Sequence, residues 1–319
     1  MKNAIYTCYK KPHDRDIPGF VELHKKLAKE YANKYNCDYI CINDIKENYK
    51  PLSFVVYEAY KHFSKSNYDK MLYIDWDILI SKNAPNIFEE YKNAPFAAYR
   101  WRDGYTNNYI NINSTENFIS HVYDENIHSK IEGAPCDEAE AFIYFLKYVC
   151  NEKITNKILE TYINEECSGG VMLFDKKTMC KFLYDGKWSW SNLYKKLLKI
   201  NNSVTDNNEV KMLQSVEITQ SKYIIDYLRI INKINFKHTL NKKWNSSSVL
   251  GNMTSNDYFY NFNGACADDN NKGILYQKDI ACMKFVKNNK LLFFDDEKDF
   301  LKYIKNNFDN ERVLEIYGK

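Results

Sequence analysis

In its first hundred residues the chain alternates short apolar runs with longer amphipathic ones. Ala4–Tyr9 is an almost unbroken apolar run, the pattern of a buried strand. In Phe20–Tyr35, the residues Phe20, Leu23, Leu27 and Tyr31 recur three or four apart and share one face of a helix. Cys37–Asn43 predicts a second strand, Leu52–Phe63 a second helix, Lys70–Ile80 a third strand and Pro95–Trp101 a fourth. Strand, helix, strand, helix, strand is the rhythm of an α/β fold with a parallel sheet covered on both faces. Such sheets bind ligands at the carboxyl ends of their strands, beside the point where the strand order reverses.

Beyond residue 102 the pattern is less regular. A polar stretch, DGYTNNYINI, is followed by a helical pattern at Glu138–Val149. Cys167–Met179 reads as a strand opened by Gly169 and Gly170. Helical patterns recur at Leu193–Ile200 and Val210–Val216, and Asp257–Gly273 reads as a short strand running into a polar loop. The tail offers a strand-like LLFF at Leu291–Phe294 and a helix over Glu297–Asn307. No internal repeat and no linker divides the chain.

Composition narrows the function classes. Of 319 residues, 45% are apolar and 27% charged, enough to build a core. The net charge of +3, with no long basic block, argues against a nucleic-acid partner. Nine scattered cysteines, none in a C-x-x-C pair, read as reduced thiols, and Cys37 with Cys41 lacks partners at zinc-site spacing. The apolar run near Met1 is shorter than a signal peptide needs, and no stretch approaches the roughly 18 apolar residues of a membrane helix, so the expectation is a cytoplasmic protein without a membrane span. The 27 tyrosines suit sugar binding but equally suit strands and packing.

The clearest chemical signal is YDKMLYIDWDILI, where Asp75 and Asp77 interrupt the most apolar run of the chain. On a continuous strand, residues i and i+2 share a face about 6.8 Å apart. Two carboxylates so placed repel and are costly to desolvate. A divalent cation relieves both costs, and a cation held by few protein oxygens takes its other ligands from substrate phosphates and water. The plainer alternative is an exposed edge strand carrying its charges toward solvent.

This segment resembles the D-x-D motif of GT-A-fold glycosyltransferases, most closely the retaining family 8 group that includes glycogenin and bacterial galactosyltransferases. Further matches follow in the same order. PFAAYRWRD resembles the next family strand, which implies that Asp103 touches the donor sugar. CSGGVMLFD resembles the strand under that sugar, implying contacts from Ser168 and Gly169. TDNNEVKML resembles a downstream helix start, implying that Asp206, Asn208 or Glu209 lies near the reacting sugar. NKKWN resembles a P-x-x-Y-N element, and NFNGACADDNNKG the loop that closes over the diphosphate, bringing Gly264 and Lys272 to it.

The resemblance covers roughly residues 1–275, as a GT-A domain, and leaves 276–319 as a C-terminal extension packed on it. It implies a Rossmann-like GT-A fold, with a mixed, mostly parallel central sheet flanked by helices, and Mn²⁺ or Mg²⁺ on Asp75, Asp77 and Asn261. Thr7, Tyr9, Asp75, Trp76, Ser168, Gly169, Gly264 and Lys272 would bind a nucleotide-sugar donor, a UDP-sugar being favoured, with catalysis at Asp103, Asp206 and Glu209. The acceptor would be a glycan or protein-linked sugar. Three departures stand out: Asn261 replaces the family's third metal ligand, a His, with His238 a spare candidate; Glu58 falls near the position of a family basic residue; and no acid follows the first strand. His13, His24, His62, His121 and His128 lack metal-ligand spacing and are expected to be ordinary, and Trp101 and Tyr105 are candidates for stacking an acceptor sugar. The alternatives are a non-catalytic carbohydrate-binding or scaffold protein on the same fold and a sugar-phosphate nucleotidyltransferase. The latter usually carries a glycine-rich loop after the first strand, where this chain has no glycine.

Overall fold

A computed structural model describes residues 1–10, 19–49, 52–100, 137–155, 158, 165–216, 220–234, 238–247, 253–262 and 283–317. Its first half is built from β1 (Asn3–Cys8), α1 (Gly19–Lys34), β2 (Asp38–Ile42), α2 (Val56–Lys65), β3 (Lys70–Ile74), β4 (Ile78–Ile80), α3 (Ile87–Glu90) and β5 (Phe96–Arg100). After α4 (Asp137–Tyr144), which runs on as a π-helical turn over Phe145–Cys150, come β6 (Cys167–Asp175), α5 (Lys176–Tyr184), α6 (Trp190–Asn201), α7 (Asn208–Ser215) and α8 (Gln220–Ile231). Short strands β7 (Ser246–Ser247) and β8 (Phe259–Asn261) precede the terminal helices α9 (Glu297–Asn307) and α10 (Asn310–Tyr317).

The main sheet has the order β2-β1-β3-β6-β5, with β1 parallel to β2 and β3, and β6 antiparallel to both β3 and β5. It is therefore mixed, with four strands running one way and β6 the other. Strands β1 and β3 are apolar on both faces because both faces are covered. Alternate residues feed two cores. Ala4, Tyr6, Cys8, Met71 and Tyr73 pack with Ala59, Tyr60 and Phe63 of α2, while Ile5, Leu72 and Ile74 pack with Val21, Leu27 and Ala28 of α1. Helices α1 and α2 thus cover opposite faces, and the strand order reverses at β1.

A second sheet, β4-β8-β7, joins the α1 side. The same core takes in Phe293, Phe294, Phe300, Ile304 and Phe308 from the C-terminal segment. Lys82 ties that segment down, donating from Nζ to Phe294 O (2.7 Å) and to the Asp295 carboxylate (2.8 Å).

Four expectations change. Lys70–Ile80 is not one strand: β3 ends at Ile74 and β4 begins at Ile78 in the other sheet. The run looks continuous because both sheets demand apolar residues on both faces. Leu52–Phe63 begins as a 3-10 turn, Leu52–Val55, before α2. The strand at Cys167 stops at Asp175, whose carboxylate caps α5 by accepting from Thr178 N (2.7 Å). The LLFF segment is not a strand: Leu291 and Leu292 lie in a 3-10 turn, Lys290–Leu292, closed by Phe293 N–H to Lys290 O at 3.0 Å.

Candidate active site

The turn Asp75–Trp76–Asp77 carries the chain from one sheet to the other. Asp75 N–H donates to Gly170 O (2.9 Å), Ile78 N–H closes the turn on Asp75 O (3.2 Å), and Phe262 N–H donates to Asp77 O (3.2 Å). The carboxylates are therefore held by a turn pinned on both sides, not spaced along one strand face. The turn lies at the carboxyl end of β3, beside the carboxyl end of its parallel neighbour β1, where the strand order reverses. Asp75 is half-buried and its Oδ1 accepts from the Tyr73 hydroxyl at 2.8 Å, while Asp77 is only 6% exposed. Tyr9, following β1, meets Trp76 edge to face with ring centroids 5.5 Å apart.

Strand β6 brings the glycine pair against this turn. Ala98 pairs with Met172 but Arg100 with Cys167, so β6 carries extra residues opposite Tyr99. Neither glycine has a positive φ. Their value lies in close approach: a Cβ on Gly170 would fall 2.5 Å from Asn261 Nδ2, whereas one on Gly169 would meet nothing within 4 Å among the described residues. Gly170 admits Asn261, and Gly169 faces no described residue. Ser168 is buried, its Oγ accepting from Gly170 N at 3.4 Å.

Asn261 pairs with Ile78 across β4 and β8, and its Nδ2 donates to Asn245 Oδ1 at 2.9 Å. The backbone segments that carry Asp75, Asp77 and Asn261 thus meet around Gly170 and Ile78. Among the described residues no cluster of three His, Cys, Asp or Glu exists. The donor set here is instead two carboxylates and an amide, all hard oxygens of the kind Mg²⁺ and Mn²⁺ take. Two buried hydroxyls near the turn, Tyr9 and Tyr60, have no hydrogen-bond partner among the described residues. Burial, with the charge of Glu22, pushes Tyr9 up to about 12. Burial and then the charge of Asp75 push Tyr60 well above the usual tyrosine range. Hard oxygens beside hydroxyls that have no partner among the described residues fit a cation with a polar ligand.

Other expected residues lie elsewhere. Thr7 is 1% exposed and its hydroxyl bonds His24, which in turn contacts Ile78. Asp206 and Glu209, at the start of α7, make their ion pairs and side-chain hydrogen bonds with Lys211, and with Lys147 (2.6 Å) and Tyr148 respectively. None of these reaches the turn. Lys147 and then Tyr148 hold the Glu209 carboxyl below its ordinary range. His238 sits in the turn before Leu240, whose N–H donates to Ala98 O in β5. Glu58 pairs with Lys61 (2.7 Å) and accepts from the Tyr49 hydroxyl. Asp103, Gly264 and Lys272, with Trp101 and Tyr105, lie outside the described residues.

Two buried polar centres flank the site. Fully buried His24 contacts Ile78 O through Nδ1 (2.6 Å) and Thr7 Oγ1 through Nε2 (3.0 Å). A carbonyl only accepts, so Nδ1 carries the proton, and in the neutral ring Nε2 accepts from Thr7. Burial lowers His24 to about 4, against the opposing pull of its bond to Ile78 and the charge of Asp77. At the start of β6, Asp226 accepts from Cys167 N (3.4 Å) and from Arg229 (3.4 Å), both side chains fully buried. Arg229 also donates to the Glu165 carboxylate and backbone carbonyl, and Lys222 pairs with Glu166. Burial raises Asp226 to about 6, with Arg229 and Lys222 pulling it back. Sequence reasoning passed over both centres because the partners lie far apart in the chain. The i, i+3 spacing of Asp226 and Arg229 was the one local signal.

No protein-family model matches the sequence, and no curated protein matches it. Among solved structures the chain is similar to the galactosyltransferase LgtC in complex with donor and acceptor sugar analogues (11% identity, TM-score 0.40, covering 96% of this chain and 100% of that one). It is also similar to a glycosyltransferase involved in glycosylation of the major capsid of PBCV-1 (11%, 0.38, 88% and 98%) and to mouse xyloside xylosyltransferase 1 in its apo form (10%, 0.36, 82% and 98%). No helix among the described residues is long and apolar enough to cross a membrane.

Proposed function

We propose that the protein is a glycosyltransferase that moves a sugar from a nucleoside-diphosphate sugar, a UDP-sugar being favoured, to a hydroxyl of a glycan or other sugar-bearing acceptor. Asp75, Asp77 and Asn261 would hold Mn²⁺ or Mg²⁺. The support comes from one observation: the pinned acidic turn sits at the strand-order reversal, with Asn261 on one side and the open face of Gly169 on the other.

In the reaction the bond between sugar C1 and the diphosphate oxygen breaks, and its electron pair leaves with the diphosphate. The acceptor hydroxyl oxygen forms the new bond to C1, and its proton passes to the departing diphosphate oxygen. The cation's contribution, when bound, is to neutralise charge on the departing diphosphate. The chain's own part is orientation. Tyr73 fixes one Asp75 oxygen, Gly169 leaves room for the sugar where any side chain would intrude, and Tyr9 with Trp76 walls the turn. The resemblance alone assigns Asp103 and Asp206 to the donor sugar, Gly264 and Lys272 to the diphosphate, and a retaining outcome.

A thermal-shift panel of nucleotide sugars with and without Mn²⁺ tests this. A ligand at a hundredfold excess over its Kd stabilises by about 2.7 kcal/mol. UDP-sugar and Mn²⁺ together should raise Tm more than either alone, and chelator should abolish sugar release from the stabilising donor. No shift with any nucleotide sugar, or release that survives excess chelator, would contradict the proposal. A shift without release would favour the carbohydrate-binding alternative.

A further inference from the structure

His24 was expected to be ordinary. Its position argues otherwise. The imidazole is fully buried and bonded at both nitrogens to different layers of the fold. Nε2 accepts from Thr7, in the central strand β1, and Nδ1 donates to the carbonyl of Ile78, the first residue of β4. The ring itself hangs from α1 and packs edge to face against Tyr39 of β2, with centroids 6.3 Å apart. One side chain therefore joins α1 and the main sheet to the second sheet, at the residue directly after Asp77.

The chain needs such a tie here. Between Ile74 and Ile78 it changes sheets, so sheet pairing does not run through the turn, and separate hydrogen bonds at Asp75, Asp77 and Ile78 help to fix the backbone. Ile78 O accepts from His24 at the exit of that turn. A cation on Asp75, Asp77 and Asn261 would demand oxygens held to within a few tenths of an ångström. A neutral donor suits this place. A second carboxylate would add repulsion beside Asp77, and a permanent cation would compete for that carboxylate.

We propose that His24 is the positioning residue of the acidic turn: a neutral strut, Thr7–His24–Ile78, that fixes the exit of the turn and so the placing of Asp77. The metal-binding half of the proposal rests on the functional proposal above; the strut itself does not.

The test uses two part-isosteres. His24→Asn puts an amide N–H near the site of Nδ1 and keeps the bond to Ile78; His24→Gln reaches toward Nε2 and loses it. Hydrogen exchange of the ligand-free protein is read at residues 75–79, with α9 as a distant control. His24→Gln should speed exchange at 75–79 by about tenfold or more, and His24→Asn by less than about threefold, with α9 unchanged in both. Equal exchange in parent and His24→Gln would overturn the strut, as would equal acceleration in the two variants. Should His24→Gln not fold, Thr7→Val reads the strut from its other end, and unchanged exchange at 75–79 there would overturn it. Mn²⁺ titration in the presence of UDP, followed by electron paramagnetic resonance, then separates the two proposals. His24→Gln should weaken Mn²⁺ by about tenfold while His24→Asn stays near the parent. If the parent binds no Mn²⁺, the functional proposal fails and the exchange result still judges the strut. If the parent binds and both variants bind equally, the link from strut to metal fails.

Discussion

The two polar centres beside the site do similar work with opposite chemistry. At the exit of the acidic turn, His24 joins Thr7 and Ile78 with neutral dipoles. At the start of β6, three residues before Gly170, Asp226, Arg229, Lys222, Glu165 and Glu166 hold the Cys167 backbone with charges. Both anchor a segment of the proposed donor site to a helix. The difference follows from what each anchor sits against. A charge beside Asp77 would perturb the carboxylate the site needs, whereas the β6 anchor lies on the α8 side and can tolerate ions that neutralise each other.

The contrast predicts unequal costs. The largest belongs to Arg229→Met, which leaves Asp226 and Glu165 without their cation. Breaking a buried pair from one side typically costs about 3–5 kcal/mol, so urea unfolding should shift by that order. A loss below about 1 kcal/mol would mean that the ionic anchor is not structural.

Next is the pH dependence of the ionic anchor. Asp226 is raised from the ordinary 3.8 to about 6, so between those values the folded state holds a proton that the unfolded state has released. Its contribution to stability is complete below about pH 4 and is lost as pH rises through 6, by at most about 3 kcal/mol. The facing groups are Arg229 and Lys222 from its own helix, with Glu166 and Cys167 from the segment opening β6. Subtracting the pH–stability curve of Asp226→Asn should isolate this fall. Parallel curves would remove the titration from the account.

The neutral anchor should break more gently. Thr7→Val leaves a buried imidazole nitrogen without its donor, at a cost of about 1–3 kcal/mol by chemical denaturation, with no dependence on salt. A loss as large as that of Arg229→Met would erase the distinction. The smallest effect on stability belongs to Gly169→Ala, which meets open space and should stay within about 0.5 kcal/mol of the parent while weakening nucleotide-sugar binding. Gly170→Ala, with its Cβ driven onto Asn261, should destabilise instead.

What the sequence reveals divides along the same line. The strands of the main sheet are legible because burial on both faces leaves few polar residues to confuse the pattern. Asp75 and Asp77 are legible as chemistry, since two carboxylates in an apolar run need a reason. Their geometry is not, because apolar residues on either side of Trp76 belong to different sheets and a one-dimensional pattern cannot tell two short strands from one long one. Asn261 lies beside Gly170 and Ile78, while Thr7 bonds His24, Asp206 pairs with Lys211 and Glu209 with Lys147. His24 carries no local signal: its partners are 17 and 54 residues away, and a lone histidine on an apolar helix face reads as core. Helix α8 went unread although Tyr223, Ile224, Tyr227 and Leu228 recur at helical spacing, because Asp226 and Arg229 interrupt the apolar stripe with the ions that form the β6 anchor.

The proposed divalent cation at the turn between the sheets would be held through Asp77. The most direct measurement is Mn²⁺ affinity with UDP present, by isothermal titration, for the parent and for Asp77→Asn. The account predicts that the variant keeps the parent's fold by circular dichroism and loses Mn²⁺ affinity by about a hundredfold, since a charged oxygen ligand becomes a neutral one. Equal affinity in the two proteins would contradict it.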